Sequence, residues 1–116
     1  MKNLLKLEDA AEWAFSIFLF SKLEFAWWWY PVLILLPDLS MIGYVVSAKA
    51  GAVSYNFIHH KGLGIVVGLT GFLLSNQLAM LAGVILFSHS SMDRMFGYGL
   101  KYSDDFKHTH LGKIGK

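Results

Sequence analysis

From Gly62 to Met92 the chain runs for 31 residues without one Asp, Glu, Lys or Arg. Phe25 to Ala48 holds a single formal charge, Asp38, in 24 residues, and Ala50 to His60 holds none. Stretches this apolar constrain a fold strongly, because about 20 mostly apolar residues suffice for a helix to cross a bilayer. The chain as a whole, 116 residues, is 55% hydrophobic and 16% charged, where an ordinary soluble domain carries about 25% charge. A fold of this size leaves much of its surface exposed, so the composition predicts lipid rather than bulk water as its surroundings. There is no cysteine, which excludes a disulfide scaffold, thiolate metal sites and a cysteine nucleophile. The net charge of +2 is too small to indicate nucleic acid as a partner.

Thirty-one residues in one helix would overshoot the hydrocarbon, so a turn is expected at Ser75-Asn76-Gln77, the polar cluster within that run. The pattern predicts an all-α polytopic membrane protein. Its four-helix transmembrane bundle occupies residues 1–96, with spans at about 5–23, 25–48, 51–74 and 78–95. A short cytoplasmic tail, 97–116, is expected to pack on the bundle at the interface. The first span carries Glu8, Asp9 and Glu12 in its opening turns, so it either crosses or lies along the interface. Its acidic start and the lack of a small-residue cleavage site argue against a signal peptide.

With both termini on one side, that side holds Lys2, Lys6, Lys49, Arg94, Lys101, Lys107, Lys113 and Lys116, against Lys22 on the other. The positive-inside rule then places both termini in the cytoplasm. Trp27, Trp28, Trp29 and Tyr30 would form an aromatic belt at the outer face. Gly64, Gly68 and Gly71 share one helical face and predict close packing of two helices.

Ionisable groups in hydrocarbon are expensive and mark functional sites. Asp38, His59, His89 and Asp93 qualify, and the span pattern places all of them in the cytoplasmic half of the bilayer, on three helices. His89 and Asp93 stand at i and i+4 on one face, as do Tyr55 and His59, with Asn56 three residues before His59. Imidazole and carboxylate ligands suit zinc, iron or manganese. Each residue also has an ordinary structural role open to it. Asp38 can cap a helix after Pro37. His59 and His60 can be neutral core histidines, and Asp93 can pair with Arg94. In the tail, His110 is either a further ligand or acid/base group, or a solvated interfacial histidine.

The blocks Pro37-Asp-Leu-Ser-Met-Ile-Gly-Tyr44, Gly51-Ala-Val-Ser-Tyr-Asn-Phe-Ile-His59, His89-Ser-Ser-Met-Asp-Arg-Met-Phe-Gly-Tyr-Gly-Leu-Lys-Tyr102 and Thr109-His-Leu-Gly-Lys-Ile-Gly115 resemble the family catalogued as domain of unknown function 4260. Its members are short bacterial integral membrane proteins, so the resemblance implies the bacterial cytoplasmic membrane. It also implies that Asp38, Tyr55, Asn56, His59, His89, Asp93, Arg94, Lys101 and His110 belong to shared motifs. Family members often carry a proline just after the Tyr-Asn-x-x-His element, where this chain has Lys61-Gly62.

Three functions fit these residues. The first is a metal-dependent hydrolase in the membrane, acting on a lipid or other apolar substrate. Asp38, His59, His89 and Asp93 would be metal ligands, Asp38, Tyr55, Asn56, Asp93 and His110 catalytic, and Arg94 and Lys101 would hold an anionic head group. The second is a haem protein with His59 and His89 as axial ligands. The third is an ion- or proton-conducting or accessory membrane subunit, in which Asp and His form a relay; the chain is too short for two inverted repeats, so transport would require a homo-oligomer.

Overall fold

The computed structural model describes residues 1–100, 108–109 and 111–113. The described chain is helical apart from one short strand pair. Helix α1 covers Lys2–Ser21, α2 Trp29–Leu33, a 3-10 helix Leu36–Val45, α3 Ala48–His59, α4 Lys61–Leu73 and α5 Gln77–Met95. Strands β1 (His108–Thr109) and β2 (Gly112–Lys113) pair antiparallel, with Thr109 opposite Gly112.

The second and third expected spans are not continuous helices. Pro37 lacks an amide hydrogen, and its ring would collide with the Leu33 carbonyl in a continued α-helix. Accordingly α2 stops at Leu33, and the chain restarts as the 3-10 helix with Pro37 in its first turn. The third span breaks at His60, whose backbone is extended (φ −74°, ψ 123°). The break falls just before Lys61-Gly62, and here a side chain does the work that a proline would do. His60 Nδ1 accepts the Gly62 amide hydrogen at 3.0 Å and caps α4. Among the described residues no helix is long and apolar enough to cross a membrane, which corrects the expected transmembrane bundle. Helix α4 is apolar but has 13 residues, about 20 Å at 1.5 Å per residue. The longer helices, α1 and α5, carry charged or polar residues in their first and last turns respectively.

The turn at Ser75–Gln77 is present, with Ser75 at φ 53° and the Asn76 side chain accepting from the Ala79 amide at 3.1 Å. It folds α4 and α5 into an antiparallel hairpin. The glycine face of α4 makes the contact. A Cβ on Gly64 would lie 2.8 Å from the Phe87 nitrogen and 3.1 Å from the Gly83 oxygen. Helix α5 is the central element: α1 and α4 pack along it, and α3 and the 3-10 helix meet its C-terminal half.

The interior is unusually polar. Its buried apolar side chains are Phe20, Ala52, Tyr55, Leu81 and Ile85, whereas Asp9, Ser16, His59, Ser88, His89, Ser90, Ser91 and Thr109 are buried as well. The outer surface is correspondingly greasy. Phe15 and Phe18 on α1, Phe57 on α3, Leu69, Phe72 and Leu73 on α4 and Trp27–Trp29 are all exposed. Buried polar groups require hydrogen-bonding partners, and several are found. Trp13 Nε1 donates to the Tyr30 hydroxyl at 2.8 Å, and Tyr30 hydrogen-bonds Ser88, tying α1 and α2 to α5.

Candidate metal centre

Asp38, His59, His89 and Asp93 meet at one point. Each offers one ligand atom, and these four atoms lie within 4.8 Å of one another. His59 Nε2 is 3.4 Å from Asp38 Oδ1 and 3.5 Å from Asp93 Oδ2; His89 Nε2 is 3.0 Å and 3.2 Å from the same two oxygens. Three separate elements deliver them: the 3-10 helix, α3 and α5. The first turn of the 3-10 helix carries Asp38, and among the described residues no side-chain bond caps that helix start. The last residue of α3 is His59, turned inward where the chain breaks. On α5, His89 and Asp93 are one turn apart, so their side chains reach the same point.

Ring orientation is fixed by the backbone. His59 Nδ1 lies 3.0 Å from the Tyr55 carbonyl oxygen, and His89 Nδ1 lies 2.5 Å from the Ile34 carbonyl oxygen. A carbonyl only accepts, so both Nδ1 atoms carry hydrogen and both Nε2 atoms of neutral rings present lone pairs to the centre. Ser40 Oγ is a second neighbour of His59 Nδ1 at 3.4 Å. His59 Nε2 is buried and, among the described residues, has no hydrogen-bond partner. Two lone pairs and two carboxylates therefore converge, and the donor that reaches them among the described residues is the Tyr55 hydroxyl, at Asp93 Oδ2. That is stable only if a proton or a metal cation occupies the middle.

The electrostatics are consistent with either occupant. Burial, then the adjacent His89, lowers the His59 pKa below the ordinary 6.5 and favours a neutral ring. Burial alone would lower His89 too, but the Asp93 hydrogen bond and the charges of Asp93 and Asp38 outweigh it and raise the pKa. Burial, reinforced by Asp93, pushes Tyr55 well above the phenol range. Its hydroxyl thus keeps its hydrogen and donates to Asp93 Oδ2 at 3.1 Å.

The spacing fits a small ion. A tetrahedral ion with bonds of about 2.0–2.1 Å separates its ligands by about 3.3–3.4 Å, and the four imidazole–carboxylate distances bracket that value. The ligand atoms as a set spread over as much as 4.8 Å, so they enclose room for an ion without forming a regular tetrahedron. It does not fit haem. The carboxylate oxygens stand within 3.5 Å of both Nε2 atoms, where a porphyrin plane would have to pass between the rings.

A family model, described as domain of unknown function (DUF4260), matches residues 2–114. The chain belongs to that family. No curated protein and no solved structure matches it. Within this DUF4260 chain, the motif residues Asp38, His59, His89 and Asp93 form the cluster, with Tyr55 bonded to it and Asn56 half-buried nearby on α3. Arg94, the expected head-group residue, is half-buried. Its Nη2 donates to the His59 carbonyl at 3.4 Å, in the field of Asp9 and Glu12. Lys101 and His110 lie outside the described residues.

One feature of the chain escaped sequence reading. Lys61 Nζ is bound by both Asp9 and Glu12, joining α1 to the α3–α4 junction. The signal was available: Asp9 and Glu12 share a helical face at i and i+3, and a lysine in so apolar a run requires an acidic partner.

Proposed function

We propose that the Asp38–His59–His89–Asp93 centre binds a divalent ion, zinc, iron or manganese, and that the protein is a metal-dependent hydrolase of a lipid or other apolar substrate. The observation that carries this reading is the orphaned His59 Nε2, fully enclosed and facing two carboxylates and a second imidazole lone pair. Buried polar atoms are almost always satisfied, and a cation held by His59, His89 and Asp93 would satisfy the lone pairs that meet there.

When bound, the ion supplies a Lewis acid that activates a water and neutralises charge on the substrate oxygen. His59 and His89, locked through Nδ1, would hold it, with Asp93, oriented by Tyr55, as the third ligand. The Asp38 side chain is the accessible member, 42% exposed against 15% for Asp93 and 3% and 0% for the histidines. Asp38 then acts as general base. It takes a proton as the water oxygen bonds to the acyl carbon or phosphorus, and returns it to the leaving oxygen as the ester bond breaks.

A lipid setting is supported by the exposed phenylalanines, leucines and tryptophans, which form apolar surface on most of the helices. In this reading they lie against the bacterial cytoplasmic membrane, with the bundle seated at the bilayer.

The test is elemental analysis of the purified full chain beside a fluorogenic acyl ester assay in vesicles, repeated with His89→Ala. One divalent ion per chain and cleavage abolished by a chelator are expected. A metal-free protein that still cleaves the ester overturns the reading. So does a metal-free protein that conducts protons in liposomes and loses conduction in Asp38→Asn, which would make the centre a relay.

A further inference from the structure

An apolar groove of about 550 Å³ lies between the 3-10 helix and α5, next to the Asp38–His59–His89–Asp93 cluster but lined by none of its four members. Its wall includes Leu36 and Pro37 of the 3-10 helix, Ile58 of α3, and Leu78, Ala82 and Ile85 of α5. Three facts tie it to the centre. Pro37 and Ile58 are the chain neighbours of Asp38 and His59. Leu78, Ala82, Ile85 and His89 follow one another at three- and four-residue steps, so groove floor and metal ligand form one stripe of α5. The polar residue in the wall is Ser40, whose Oγ lies 3.4 Å from His59 Nδ1. The groove is thus oily along its length, and its one polar wall residue, Ser40, is the one that touches a cluster residue, His59.

We propose that this groove seats a single unbranched acyl chain of the substrate, with the bond to be cleaved at Asp38. The inference rests on the hydrolase reading and gives its substrate class: an ester or amide of a fatty acid. From Leu78 to His89 α5 advances about 16 Å at 1.5 Å per residue, room for an extended chain of medium length. A second apolar groove, about 660 Å³ between α1, α4 and α5, touches no neighbour of Asp38 or His59 and is not the tail site.

The test uses the full chain in lipid nanodiscs, photolysed with a diazirine-bearing lauric acid and mapped by peptide mass spectrometry, with bound metal measured in the same samples. Adducts are expected at Leu78, Leu81 and Ile85, reduced at least tenfold by excess unlabelled lauric acid and by Ala82→Trp. Should Ala82→Trp fail to fold, competition on the unaltered chain decides alone. Adducts spread over Val53, Phe57 and Val66 that unlabelled acid does not displace overturn the tail site, as does labelling of the groove indifferent to Ala82→Trp. Groove labelling in a chain that never binds metal sustains the tail site and refutes the hydrolase.

Discussion

The Tyr55 ring lies flat on the His59 imidazole, ring centres 3.8 Å apart and 7° from parallel. Its hydroxyl meanwhile donates to Asp93 at 3.1 Å. One tyrosine thus orients two proposed ligands from different helices. Tyr55→Phe keeps the stacking and removes the bond to Asp93. Partners of this kind cost about 10–100-fold in metal affinity when lost, so zinc binding measured by competition with a chromophoric chelator should weaken by about tenfold while the fold persists. Tyr55→Ala also empties the interior beside His59 and should cost about 3–5 kcal/mol, visible in chemical denaturation.

Lys61 anchors α1 to the α3–α4 break through Asp9 and Glu12. Lys61→Met leaves Asp9 buried without its cation, and breaking a buried pair from one side costs about 3–5 kcal/mol. Partial exposure of Glu12 places the expected loss at the lower end. Neutralising all three groups, Lys61→Met with Asp9→Asn and Glu12→Gln, should recover most of it. Denaturation midpoints of the single and triple variants test this; a single variant as stable as the parent would remove the anchor.

The α4–α5 hairpin depends on backbone contact at Gly64. Gly64→Leu drives a side chain into the Phe87 backbone, which cannot yield as a flexible side chain would. A loss of about 3 kcal/mol or failure to fold is expected. Gly97→Ala is a useful contrast: among the described residues nothing lies within 4 Å of its Cβ, and its φ of 91° alone should cost about 1 kcal/mol.

Much of the centre was legible before folding, because four ionisable side chains standing in otherwise apolar runs have few reasons to be there. Asp38, His59, His89 and Asp93 were separable from the rest of the chain on that ground, and the turn at Ser75–Gln77 on its polarity. The breaks within 25–48 and 51–74 were harder to read. Hydropathy averages over a window, whereas Pro37 stops α2 through a local clash with Leu33. His60, which invites a reading as an interior histidine, ends α3 by capping the next helix. Arg94, read as a head-group ligand from its place near the helix end, turns inward to the His59 carbonyl. The carbonyls of Ile34 and Tyr55, which set both histidine tautomers, carry no sequence signal at all.

A bound metal would compete with protons for His89, and the sign follows from its raised pKa. Without metal, the folded chain holds that proton more tightly than the unfolded one. His89 then contributes stability below pH 6.5, lost as pH climbs through the raised folded value. His59, lowered, acts oppositely: the unfolded chain takes a proton below pH 6.5 that the folded one refuses. With chelator present, His89→Gln should abolish the decline in melting temperature above pH 6.5. With zinc present, stabilisation should instead grow as pH rises, because both rings must be neutral to bind; at a hundredfold excess over Kd it reaches about 2.7 kcal/mol.

X-ray absorption at the metal edge of the purified full chain tests the central claim most directly. Two imidazole nitrogens and at least one carboxylate oxygen are predicted at about 2.0–2.2 Å, with one imidazole lost in His59→Ala and one in His89→Ala. A chain that takes up no divalent ion, or an ion whose shell contains no imidazole, would contradict it.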